Sequence, residues 1–176
     1  MEDSTALIDR LGDAQAYELL RIHNALIRDC LRTHEGTEVT HTGDGIEASF
    51  RFASNAIECA IAIQRAFARY NAEHPSATIR VRVGINAGEP ITTEGRLFGT
   101  AVHTAFRICT RARPGQILLS DIVRRLTVGR SFVFVNRGRV ILKGFQQRVH
   151  LYEVRWADAY ERVGDSRSAY WVQSTT

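Results

Sequence analysis

Between Ala14 and Thr33 apolar residues recur at helical spacing, through Leu19, Leu20, Leu26, Ile27 and Cys30, which predicts an amphipathic helix. His23 falls on the same stripe, where a histidine packed in the core is the ordinary reading. Gly36 ends the segment. Two runs able to form strands, Glu38–Thr42 and Ile46–Phe50, then flank Gly43-Asp44-Gly45. The glycines supply the positive φ angles of a tight hairpin and place the Asp44 carboxylate at its tip. From Ser54, a plausible cap, to Tyr70, one face carries Ala56, Cys59, Ala60, Ile63, Phe67 and Tyr70, and another carries Arg65 and Arg69, so a second core-facing helix is predicted. His74-Pro75 breaks it. Thr78–Asn86 alternates Ile79, Val81, Val83 and Ile85 with polar neighbours, the period of a half-buried strand.

Beyond that strand, Gly88-Glu89-Pro90 to Thr93 bends into an outlying arm. Phe98 to Arg111 is helical again, through Ala101, Val102, Ala105, Phe106, Ile108 and Cys109, and Pro114-Gly115 stops it. Ile117–Leu119 returns to the sheet, a short helix starts near Ser120, and Phe132–Val135 with Arg139–Leu142 reads as a hairpin before the strand Val149–Val154. At the other end, Ser4/Thr5 form a capping pattern before a short helix that closes at Gly12. Strand, helix, strand pair, helix, strand is the order of an α+β, ferredoxin-like βαββαβ core with an added β-arm.

Composition narrows the function classes. At 176 residues and 44% hydrophobic content the chain fits one domain with a real core. The net charge of +4 is spread along the sequence, which suits a protein handling a polyanionic small molecule better than a nucleic-acid binder. Three cysteines, Cys30, Cys59 and Cys109, occupy separate helical stretches without C-x-x-C spacing, against a disulfide frame or zinc site. No apolar run approaches the roughly 18 residues of a membrane span, and no signal peptide opens the chain. The expectation is a soluble, cytoplasmic protein.

Six segments recur in a telling order: E-V-T-H-T-G-D-G-I-E-A-S-F, G-I-N-A-G-E, F-G-T-A-V-H-T-A-F-R, P-G-Q-I-L-L-S, L-K-G and R-V-H-L-Y-E-V. In that order and spacing the string resembles the catalytic domain of the class III adenylate and guanylate cyclases, over about residues 1–156. Residues 157–176 are extra to the pattern and form a C-terminal extension. The resemblance implies the class III cyclase fold and cyclisation of a nucleoside triphosphate to a 3′,5′-cyclic nucleotide and pyrophosphate, in cyclic-nucleotide signalling. It also implies Mg²⁺ or Mn²⁺ as cofactor and a head-to-tail homodimer whose sites are shared between subunits.

Residue by residue, the resemblance makes Asp44 a metal ligand. The other metal aspartate of the family lies in an F-T-D pattern that falls before Met1 by this alignment, together with the first strand; Glu2 and Asp3 are displaced from it. Ser168–Ser174 is a candidate to fill the place of that strand. Thr40 stands where many adenylate cyclases carry a base-reading lysine, and Arg96 where they carry an aspartate. Arginine only donates hydrogen bonds, so Arg96 fits the carbonyl oxygens of guanine or uracil rather than the adenine amino group. The family's transition-state pair, N-x-x-x-R, reads His103 and Arg107, and four-residue spacing puts both on one helical face. Gly99 permits backbone approach to the phosphates, and Lys143 matches a lysine that contacts them. These departures leave open a second reading, a catalytically degenerate cyclase-homology module that binds nucleotide or pairs with an active cyclase as a regulatory subunit.

Overall fold

A computed structural model of the chain describes residues 12–41, 43, 45–93 and 96–157. The N-terminal capping pattern, Glu2, Asp3, Asp44 and Ser168–Ser174 lie outside the described residues.

The first helix, α1 (Asp13–Thr33), buries Leu19, Ile27, Cys30 and Leu31 along one stripe. His23 is on that stripe at 1% exposure, its Nδ1 2.9 Å from Asn24 Oδ1 and its ring 5.6 Å from that of Phe67, so it packs in the core as expected. The left-handed residue that ends α1 is Glu35, at φ 57°, and the Gly36 amide then donates to the Leu31 carbonyl at 2.8 Å. A hairpin follows, β1 (Thr37–His41) against β2 (Ile46–Ser49). Arg28 of α1 clamps it with a two-pronged ion pair to Glu38, at 2.7 and 2.8 Å.

Helix α2 (Ala53–Glu73) packs along α1 through Cys59, Ile63, Ala66 and Phe67. Ser54 does not cap it. Phe52 occupies the cap position, and the Ser54 hydroxyl lies 3.4 Å from Asn55 Oδ1. The strand expected over Thr78–Asn86 is also shorter than its alternation predicts. Only β3 (Val83–Ile85) is laddered. Upstream, side chains of α2 take over: Asn71 donates to the Ile79 carbonyl and accepts from its amide, and Gln64 donates to the Val81 carbonyl. Apolar alternation reported burial, at 2% for Ile79 and 5% for Val81, but not the source of the hydrogen bonds.

The arm is a small hairpin, β4 (Ile91–Thr93) with β5 (Arg96–Phe98), and it leads into α3 (Thr100–Arg111). The helix begins two residues later than the sequence predicts because Phe98 belongs to β5. Next come β6 (Ile117–Ser120), the short α4 (Asp121–Leu126), β7 (Phe134–Ile141) and β8 (Arg148–Val154).

Segment 132–142 is not a hairpin. Its two halves form one bulged strand, β7, paired along its length with β8. The bulge lies between Asn136 and Arg139, where Asn136 Oδ1 accepts the Gly138 amide at 2.8 Å and the chain continues rather than reversing. The residues between the two expected strands, Asn136-Arg137-Gly138, lie at the bulge within one strand instead of turning the chain back.

The main sheet runs β3-β6-β8-β7, with β3 and β6 parallel. All four residues of β6 are buried, because helices cover both faces. Ile117 and Leu119 point to one side with Ile57 and Ala60 of α2 and Val123 of α4. Leu118 points to the other, with Ile108 and Ala112 of α3 and Leu142 and Leu151. This is the expected α+β core with its β-arm. Among the described residues, the β1–β2 hairpin shares no ladder with the main sheet.

Candidate functional site

Helix α3 is held against the sheet by backbone contact. A Cβ built on Gly84 of β3 would stand 2.2 Å from the Cys109 amide nitrogen and 2.6 Å from the Ala105 carbonyl oxygen, so only glycine allows this approach. At the N-terminal end of the helix, Asn86 bridges two elements. Its Nδ2 donates to the Ala101 carbonyl at 3.0 Å, and its Oδ1 accepts the Ser120 hydroxyl at 2.7 Å. Gly99, at φ 125°, joins β5 to α3 in a conformation that L side chains avoid, and its carbonyl accepts the first helical bond from the His103 amide at 3.1 Å.

These constraints place the first turn of α3 beside β5 and the β1–β2 hairpin, and between them opens a cleft of about 610 Å³. Thr40, Arg96, Gly99 and His103 all line it. Four of the residues singled out in the sequence thus meet in one cavity although they span 64 positions in the chain. Phe98 and Phe106 add aromatic walls, and the His103 ring stands edge-on to Phe98 at 5.5 Å and 85°.

Glu47 also lines the cleft, and the sequence reading passed over it. Pairing Thr42 with Ile46 across a three-residue tip would set Thr40 opposite Ala48. The observed register instead pairs His41 with Ile46 and Thr40 with Glu47, while Glu38 pairs with Ala48, so Val39 is an extra residue in β1. Thr40 and Glu47, paired directly across the ladder, line the same space. The sequence signal for Glu47 is a polar residue in an otherwise apolar or small strand.

Of the other predicted residues, Asp44 lies outside the described residues, and Arg107 and Lys143 are outside the lining. Arg107 is half-buried one turn along α3 from His103, its guanidinium carbon 5.6 Å from the centre of the Phe106 ring. Lys143 is exposed in the turn after β7, closed by the Phe145 amide donating to the Leu142 carbonyl at 3.0 Å. Leu142 and Ile108, the neighbours of Lys143 and Arg107, belong to one buried cluster, which ties this turn to the far half of α3.

The model of the adenylate and guanylate cyclase catalytic domain matches residues 1–155. The chain belongs to this family. The chain is 37% identical over 121 residues, 68% of its length, to a Rhizobium meliloti (strain 1021) protein named "Putative adenylate cyclase 3", and the match spans 21% of that relative. An adenylate/guanylate cyclase/hydrolase from Silicibacter pomeroyi superposes with a TM-score of 0.74 at 29% identity, covering 88% of this chain and 90% of that one. The adenylyl cyclase CyaB from P. aeruginosa, at 21% identity and a TM-score of 0.75 over 90% and 91% of the two chains, shares the fold.

Family membership implies the use of a divalent metal. Among the described residues of the cyclase domain, no group of three His, Cys, Asp or Glu side chains is placed to hold one. Among the described residues, Glu47 is the single carboxylate lining the cleft. The described part of one chain therefore does not form a metal centre by itself. Among the described residues, no helix is long and apolar enough to cross a membrane.

Proposed function

We propose that this cyclase domain converts a nucleoside triphosphate to a 3′,5′-cyclic nucleotide and pyrophosphate. The 3′-oxygen forms a bond to the α-phosphorus, the bond from that phosphorus to the β-phosphate oxygen breaks, pyrophosphate leaves, and the hydroxyl proton passes to solvent. The observation that carries this reading is the convergence of Thr40, Arg96, Gly99 and His103 on one cleft at the start of α3.

Each residue has a part. Thr40 and Arg96 face the base, Arg96 as a donor only. His103 hydrogen-bonds the ribose. The backbone at Gly99 approaches the phosphates, and Lys143 neutralises the triphosphate. Arg107 offers a planar fork of donors to charge that builds on the α-phosphate in the transition state, where a preorganised donor contributes most. Asp44 would hold a divalent ion, Mg²⁺ or Mn²⁺, which would supply a lowered pKa for the attacking hydroxyl and screening of the phosphate charge. The site is shared in a head-to-tail homodimer, with Asp44 of one subunit opposite Thr40, Arg96, His103 and Arg107 of the other.

The test is pyrophosphate release from ATP, GTP, CTP and UTP with Mn²⁺, for the full chain and for Asp44→Ala. Turnover that disappears in the variant supports the reading. Flat traces with all four nucleotides favour the second reading, a nucleotide-binding or regulatory module that pairs with an active cyclase. That alternative draws on one observation: the described residues of a single chain contribute one carboxylate to the cleft.

A further inference from the structure

Helix α4 is buried on one side only. Val123, at 0% exposure, packs with Ile57 and Ala60 of α2, and the Thr127 hydroxyl donates to the Val123 carbonyl at 3.1 Å, which tucks the end of the helix inward. Ile122 and Leu126, four positions apart and so on one helical face, stand out at 47% and 63% exposure, and Val128 in the following turn at 79%. One exposed valine is ordinary. Three large apolar side chains within seven residues make a patch of the kind that marks an interaction surface.

The described chain ends beside this patch. The Arg155 amide donates to the Val133 carbonyl at 2.9 Å, and Trp156 packs in the same cluster as Val123 and Phe132, its Nε1 donating to the Gly115 carbonyl at 2.7 Å. Residues 158–176 follow. Their longest apolar run is Ala169-Tyr170-Trp171-Val172, and the twelve residues between Ala157 and Tyr170 reach as much as about 40 Å when extended. Tyrosine and tryptophan bury a large apolar area for little lost side-chain freedom. Charge agrees as well: Arg130 and Arg155 make no ion pair among the described residues, and the connecting stretch carries Asp158, Glu161 and Asp165.

We propose that Tyr170, Trp171 and Val172 dock on the apolar face that Ile122, Leu126 and Val128 of the same chain present. The tether favours this occupant over a separate partner, because a short connection gives the segment an effective concentration of about the millimolar range at its own docking face. The inference stands apart from the nucleotide reading and needs no ligand.

Trp171 reports on the docking directly. In the full chain carrying Trp156→Phe it is the single tryptophan, and its emission should lie at shorter wavelength than that of free tryptophan amide, with acrylamide quenching several-fold weaker. Leu126→Ser combined with Val128→Ser, both at exposed positions, should move emission and quenching to the free values. Ile141→Ser, at a 59% exposed site on β7, should leave them unchanged. In the reciprocal variant, Tyr170→Ser should raise both the quenching of Trp171 and the hydrogen exchange of α4. Should Trp156→Phe unfold the chain, subtracting the Trp171→Phe spectrum from that of the natural chain isolates the same signal. A Trp171 as quenchable as the free amide overturns the inference. So does a protected Trp171 that the α4 variants fail to move, which would seat the segment elsewhere, beside β3 for instance. Protection lost on dilution would make the occupant the tail of a second copy and overturn the same-chain assignment.

Discussion

Gly84 and Cys109 are in backbone contact: a Cβ on the glycine would stand 2.2 Å from the cysteine amide nitrogen. Helix α3, which carries His103 and Arg107, thus has its distance from the sheet set by one absent side chain. Neither a helical backbone nor a strand laddered to β6 can yield, so a side chain here forces the two apart. Gly84→Val is expected to cost at least about 3 kcal/mol, the upper end for overpacking a well-filled core. Urea unfolding monitored by circular dichroism measures it. A midpoint equal to that of the unmodified chain would show that α3 is not seated on β3 in this way.

Asn86 fixes where α3 starts. Replacement by leucine keeps the volume but takes the donor from the Ala101 carbonyl and the acceptor from the Ser120 hydroxyl, which is 4% exposed. An orphaned buried polar group costs about 1–3 kcal/mol. Asn86→Leu should therefore unfold at lower urea and, where still folded, bind triphosphate more weakly, since Gly99 and His103 shift with the helix. Asn86→Asp retains the acceptor for Ser120 and should lose less stability than the leucine variant. Equal losses in the two would exclude the Ser120 bond as a contributor.

The residues that could be read from the sequence are those whose role follows from local pattern. The stripes of α1 and α2 and the unbroken apolar run of β6 report burial directly, and His23 falls where its stripe predicts. The positions Thr40, Arg96, Gly99 and His103 were found by motif order, and the fold brings them to one cleft. What was missed depends on pairing partners that are remote in sequence. Asn71 and Gln64 replace a ladder at Thr78–Arg82. The bulge at Asn136–Arg139 turns an apparent hairpin into one strand of a longer pair, and the pairing of His41 with Ile46 beside the tip is what sets Glu47 across from Thr40, with the bulge at Val39 restoring the Glu38–Ala48 pair. Bulges change register by one residue, and periodicity carries no record of them.

Burial leaves a pH signature. Cys59, at 1% exposure between α1 and α2, has its thiol pushed from an ordinary 9.0 up to about 12, and burial raises Cys30 beside it as well. The unfolded chain ionises these thiols near their ordinary value, while the folded chain keeps them protonated. The folded state therefore binds more protons in this interval, and stability falls as pH rises. The contribution is fully present below about pH 9 and is lost progressively toward 12. Cys59→Ala should flatten this alkaline decline while lowering the unfolding midpoint at neutral pH, because it removes a packed sulfur. A decline of unchanged steepness in the variant would assign the alkaline sensitivity to other groups.

The shared-site arrangement makes a prediction that no single variant can imitate. Asp44→Ala removes the proposed metal ligand and Arg107→Ala the proposed transition-state donor, and each homodimer should lose activity by a factor of about 10² to 10³ or more. When the two inactive proteins are mixed and subunits exchange, half the dimers carry one of each. In such a dimer a head-to-tail site pairs either both altered residues or both natural ones, so one of its two sites is intact. Equal mixing should then restore about a quarter of the original activity. Sites built within single subunits would give no recovery at any ratio, because every subunit in the mixture is defective. Recovery must also depend on concentration, rising as dimers form and vanishing on dilution below the dissociation constant, and an activity per subunit that stays constant on dilution would count against a shared site.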